Sequence, residues 1–147
     1  MTIHLGSIEV TFLLDDTQTN DTSTMFDTIA PADAPAPIAH SHDAFEEVVY
    51  GLAGALTFTV GGEEHVLTPG DALYIGRGVV HVWDNRVPET GRFLTVATPG
   101  VFRPAYFEEM AAVLDTAAGG PPDISALMAV MHRHGLTPAP VSSAASS

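Results

Sequence analysis

The sequence predicts an all-β barrel or sandwich followed by helices. Three observations carry this. Between residues 8 and 97 short apolar runs recur at regular spacing, separated by Gly, Pro and Asp turn signals. After Pro99-Gly100 the apolar period lengthens from two to the helical value. A chain of 147 residues that is 46% hydrophobic is one domain's length and can bury a core without disulfides.

Ile8–Leu14 reads as the first strand and Met25–Ile29 as the second. The polar run from Asp15 to Thr24 between them reads as a solvated hairpin loop, with a flap over the barrel mouth as the functional alternative. Pro31, Pro35 and Pro37 make the next stretch extended, because each fixes its own φ and biases its predecessor away from helix, and they deliver the chain into a strand at His40. From Glu47 to Leu67 the pattern is a hairpin, with Val48–Leu52 and Ala55–Val60 leading into a Gly61-Gly62 turn and Glu63–Leu67 returning. Pro69-Gly70-Asp71 turns the chain into Ala72–Ile75, Val79–Trp83 forms another strand, and Phe93–Ala97 closes the sheet. Tyr106, Met110 and Val113 then recur at helical spacing. Gly119 to Pro122 break that helix, Asp123 caps a second and Gly135 ends it. Ile124, Leu127, Met128 and Met131 form the second helix's apolar stripe. The expected organisation is a barrel with its N-terminal strands over residues 1–101, a helical extension over 102–135 and a disordered tail over 136–147.

Composition excludes several chemistries. With Cys 0 there is no thiolate zinc site, thiol nucleophile or redox disulfide, so any metal must be held by nitrogen and oxygen. All 5 basic residues are arginines, which removes lysine Schiff bases and phosphate-loop lysines. A formal net charge of -13 disfavours nucleic acid and anionic membrane surfaces as partners. The N-terminus has no basic stretch followed by an apolar run, and no long apolar segment occurs, so a cytoplasmic protein is the default expectation.

Two motifs carry the chemistry. The first is His40-Ser41-His42, four residues, Glu47, six residues, Gly54. The second is Gly70, five residues, Gly76-Arg77-Gly78, two residues, His81, three residues, Asn85. Side chains alternate across a strand, so His40 and His42 share a face and can grip one ion. The same letters at His132 and His134 fall on a helix, about 200° apart around its axis, and cannot hold one ion together; His134 reads instead as a partner for the helix C-terminal dipole. His65 reads as a surface or second-sheet packing residue, and His4 sits near a loose terminus, so neither is expected to be a ligand.

With these residues the chain resembles the cupins, small double-stranded β-helix (jelly-roll) barrels whose two motifs supply three histidines and one glutamate to a metal. The first motif matches in full from His40 to Gly54; the second departs at Gly76, where the family pattern usually carries proline. More narrowly, Phe12 through Glu108 resembles bacterial cupins of the quercetin 2,3-dioxygenase-like kind. The resemblance implies His40, His42, Glu47 and His81 as metal ligands. Glu46 competes with Glu47, but only Glu47 is separated from Gly54 by the six residues of the family motif, and the two face opposite sides of a strand. Gly51, where relatives usually carry a branched apolar residue, signals either extra room beside the ion or a bulge or close strand contact. Trp83 and Asn85 share the face of His81 on a straight strand.

Three imidazoles and a carboxylate suit one divalent transition metal (Fe, Mn, Ni, Co or Zn). The resemblance implies dioxygen chemistry on an enol, flavonol-like or aromatic polyketide-like small molecule, with Glu47 doubling as the catalytic proton acceptor and O2 as co-substrate. The alternatives are a non-oxidative lyase, isomerase or cyclase, and a non-catalytic cupin that binds a small ligand. Relatives commonly form homodimers through the outer sheet or an exchanged N-terminal strand, here Ile8–Leu14.

Overall fold

The computed structural model describes residues 1–139. It contains two antiparallel sheets and two C-terminal helices, as expected. The strands are β1 Thr2–Leu5, β2 Ile8–Leu14, β3 Thr24–Ala30, β4 His40–His42, β5 Glu46–Ala53, β6 Leu56–Val60, β7 Glu63–Leu67, β8 Ala72–Ile75, β9 His81–Asp84, β10 Gly91–Thr98 and β11 Leu136–Pro138; the helices are α1 Pro104–Thr116 and α2 Ile124–Arg133. One sheet has the order β1-β2-β3-β10-β5-β8 and the other β11-β4-β9-β6-β7.

Alternation along the strands builds the core. In β5, Glu47, Val49 and Gly51 are buried while Val48, Tyr50 and Leu52 are exposed. Two apolar clusters result. Val49, Leu56, Phe58, Leu67, Ile75 and Phe93 pack between the sheets. Phe12, Phe26, Phe45, Phe102, Phe107 and Leu136 form the larger cluster, which joins the barrel to the helices. Trp83 packs against both. The 61–62 turn has φ of 57° and 87°, the double positive that a two-residue hairpin needs.

Gly51 resolves to the second of its two readings. A Cβ there would lie 2.2 Å from the Thr68 carbonyl oxygen. The Gly51 amide donates to the Asp71 carbonyl at 2.9 Å, and the Gly70 amide donates to the Gly51 carbonyl at 3.0 Å. The register beside it jumps from Arg92↔Ala53 to Phe93↔Gly51, leaving Leu52 as a bulge. The missing side chain therefore lets the 68–71 turn close onto β5 and adds no space at the site.

Both chain ends depart from expectation. Thr2–Leu5, read as loose, pairs with β2. The tail expected from residue 136 begins instead as strand β11, with Leu136 opposite His42 and Pro138 opposite His40. Leu136 is 0% exposed, so burial and a place beside β4 order a segment too short to show a period. Residues 140–147 of the expected tail lie outside the described residues.

The 15–24 loop is braced at the foot of α1. Asp15 caps a single 3-10 turn, Asp16–Gln18. The Asp21 backbone carbonyl accepts from the Gly100 amide, and Arg103 donates to the Asp16 carboxylate at 3.1 Å. Asp123 caps α2 by accepting from the Ala126 amide, as expected. The buried face of α2 is Leu127, Val130 and Met131, whereas Ile124 and Met128 of the expected stripe are exposed. Among the described residues no helix is long and apolar enough to cross a membrane.

Candidate metal centre

The histidines of the two motifs meet on adjoining strands of one sheet. Strand β4 presents His40 and His42 on one face, and His81, the first residue of β9, lies directly opposite His40. One ring nitrogen from each histidine falls within 4.8 Å of the others. His40 Nε2 and His42 Nε2 are 3.1 Å apart. Glu47 arrives from the other sheet and meets the group at His42, with Oε1 3.2 Å from Nε2. Glu46 faces outward and accepts from Arg77 Nε, so of the two neighbours Glu47 is the one at the cluster.

Backbone carbonyls set the tautomers. His40 Nδ1 is 2.7 Å from the Ile38 carbonyl and His81 Nδ1 is 3.0 Å from the Val79 carbonyl. A carbonyl only accepts, so both Nδ1 atoms carry the proton and both Nε2 atoms present lone pairs. His42 is fully buried and its ring stacks on Phe45 at 4.2 Å. Its Nδ1 is enclosed without a partner.

The electrostatics fit a cation. Burial, reinforced by His81, holds His40 down at about 3; burial, with His40 and His81, holds His42 at about 2. Burial also lowers His81, against the raising effect of the Val79 carbonyl. Burial pushes Glu47 up to about 8. The His42–Glu47 contact is therefore between neutral groups and is not an ion pair, despite its length. Three neutral imidazoles converge and a buried carboxyl lacks a compensating charge. A divalent ion would satisfy the lone pairs and offset the cost of ionising Glu47.

The space beside the cluster is apolar. A cavity of about 120 Å³ is lined by Phe26, Phe58, Trp83, Phe93, Phe102 and Phe107 among others. Its polar lining is His40, His81, Glu47, Thr28, Thr95 and Tyr106. None of the five arginines lines it. Arg77 pairs with Glu46, Arg86 with Glu64 and Asp84, Arg92 with Asp27, Arg103 with Asp16, and Arg133 with Glu109. The chain has no lysine to take their place.

Trp83 is in the cavity wall, as its strand facing implied. Asn85 instead ties the backbone together: its Nδ2 donates to the Ala30 and Glu89 carbonyls, and its Oδ1 accepts from the Val87 amide. His134 lies apart from the cluster, bonded to Glu109 Oε2 at 2.6 Å and packed edge-on against Tyr106. The sequence reading missed Phe102, Tyr106 and Phe107. The helical spacing of Tyr106 with Met110 and Val113 was visible, but nothing in it indicated that α1 turns this face into the barrel mouth.

Comparisons with known proteins agree with the fold. The cupin-domain family model matches residues 25–97. No curated protein matches the sequence. Among solved structures, a predicted oxalate decarboxylase from Thermotoga maritima is similar at a TM-score of 0.59 and 22% identity, over 63% of this chain and 80% of that one. A sugar phosphate isomerase from Silicibacter pomeroyi is similar at 0.54 and 22%, over 64% and 60%. The polyketide cyclase RemF from Streptomyces resistomycificus is similar at 0.56 and 25%, over 67% and 68%. Through residues 25–97, which carry both motifs on adjoining strands, the chain belongs to the cupin superfamily.

Proposed function

We propose that the protein is a metal-dependent enzyme that takes an uncharged, aromatic, enolisable small molecule through its enolate and delivers it to O2 as a dioxygenase. In this reading His40, His42, Glu47 and His81 hold one divalent ion of Fe, Mn, Ni, Co or Zn. The observation that carries it is a buried nitrogen and oxygen donor cluster opening onto an aromatic cavity with no cationic side chain. A phosphorylated sugar or a dicarboxylate would enter that cavity with no arginine or lysine to balance it, whereas a planar aromatic ring is matched by the Phe and Trp walls.

Bound there, a divalent ion supplies Lewis acidity, stabilising the anion of a substrate oxygen. Glu47 accepts the proton that the substrate loses. The aromatic walls hold the ring and exclude water. His40 and His81 keep their orientation through the Ile38 and Val79 carbonyls, which fix Nε2 toward the centre.

A second reading is favoured by the similarity to a polyketide cyclase: the same enolate closes or rearranges without oxygen. The test is turnover of hydroxyaromatic and polyketide-like carbonyl compounds by metal-reconstituted protein, with an oxygen electrode in the cell. Stoichiometric O2 uptake supports the dioxygenase, and undiminished product formation under argon overturns it in favour of the cyclase. Ligand affinity that survives chelation, together with no turnover by any reconstituted form, would leave a binding protein only. A homodimer belongs to the same proposal, through the outer face of β5 and β8, where Val48, Tyr50, Leu52 and Tyr74 are exposed; light scattering at a monomer mass overturns it.

A further inference from the structure

We propose that helix α1 completes the substrate site, with Tyr106 donating its phenolic hydroxyl as a hydrogen bond to an oxygen of the bound molecule. This deepens the reading above and rests on it for the class of substrate. Tyr106 lies outside the 25–97 stretch that the family model matches, so the strands' motifs do not assign it.

Four observations converge. Tyr106 is 5% exposed and lines the cavity. Its hydroxyl forms no hydrogen bond within the described residues, yet the enclosed polar atom without a partner is His42 Nδ1. Tyr106 lines the cavity, where its hydroxyl can meet a bound molecule. A buried phenol ordinarily finds a partner, since leaving the group unmatched is costly. The ring is also held firmly: Phe102 and Phe107 lie 5.2 and 5.0 Å away, and His134 stands edge-on at 5.6 Å, itself tied to Glu109. Finally, with every arginine paired elsewhere, the neutral hydroxyls of Tyr106, Thr28 and Thr95 are the polar groups available beside the cluster. Burial and the nearby Glu47 push the phenol up, so it remains a donor.

A neutral donor in an aromatic cavity selects a carbonyl or hydroxyl oxygen on an otherwise apolar ring system. It gives little to a phosphate or carboxylate, whose charge it cannot match.

The experiment uses Trp83, the single tryptophan, as its reporter. Quenching of its fluorescence is titrated with 3-hydroxyflavone and with the oxygen-free analogue 2-phenylnaphthalene, on metal-free and metal-loaded full-length protein. Tyr106→Phe keeps the ring and removes the hydroxyl. The expected result is a loss of about five- to tenfold in affinity for 3-hydroxyflavone, as for one net hydrogen bond, with 2-phenylnaphthalene affinity unchanged. Equal losses for both compounds would assign Tyr106 to packing alone and overturn the proposal. Unchanged affinity for both would overturn it too, while the O2-uptake assay continues to judge the enzyme reading separately. If wild-type protein binds neither compound but binds ribose 5-phosphate, the substrate class and the donor role fall together.

Discussion

Leu136→Ala tests whether the C-terminal strand is part of the metal site's frame. Leu136 is fully buried in the larger core cluster and lies opposite His42 in the β4–β11 pair. The pairing is flanked by the Asp43 amide donating to the Gly135 carbonyl at 2.9 Å and the Ala139 amide donating to the Ala39 carbonyl at 2.8 Å. Truncating a fully buried leucine costs about 2–5 kcal/mol, the lost transfer free energy plus the cavity left behind. At 147 residues the unfolding entropy is about 0.3 kcal/mol per degree, so a loss of about 3 kcal/mol lowers Tm by about 10 °C. Thermal unfolding by circular dichroism reads this, with Val66→Ala as a control because Val66 is 61% exposed. The strand bearing two candidate ligands would loosen with its neighbour, so divalent-ion affinity in isothermal titration should fall as well. A shift within about 1 °C, matching the Val66 control, would refute the claim that β11 frames the site.

Three further outcomes are expected. Gly51→Ala drives a Cβ to within 2.2 Å of the Thr68 carbonyl oxygen and should cost about 1–3 kcal/mol or more, read as lower soluble yield and Tm; a neutral effect would return Gly51 to the extra-room reading. His81→Ala should abolish stoichiometric metal in elemental analysis of the purified protein, while a His132→Ala/His134→Ala double variant should retain it, and metal held by the His81 variant would sink the ligand assignment. Metal uptake at pH 7 should release about one proton: Glu47, pushed up to about 8, is protonated before binding and ionised after it, whereas His40 and His42, at about 3 and 2, have none to give. Affinity then rises about tenfold per pH unit toward about 8 and flattens above it. Calorimetry in buffers of different ionisation heat measures the proton directly, and zero release means that Glu47 does not join the ion.

The strands of the barrel were legible in the amino-acid order through local rules, and the candidate cluster through those rules together with the resemblance to the cupin motifs. Alternation of side chains put His40 and His42 on one face and separated Glu47 from Glu46, and glycines at 61 and 62 permitted the turn that sets the β6–β7 register. The helix period likewise separated His132 and His134 from any shared ion. Other features exist only once distant parts of the chain meet. Leu136–Pro138 is too short to show a period and becomes a strand only because β4 offers an edge and the core a place for Leu136. Gly51 is explained by a turn arriving from residue 68, a contact no local pattern encodes. Tyr106 belongs to an ordinary amphipathic helix until α1 docks, since a helix's period gives its apolar face but not the surface that face will cover.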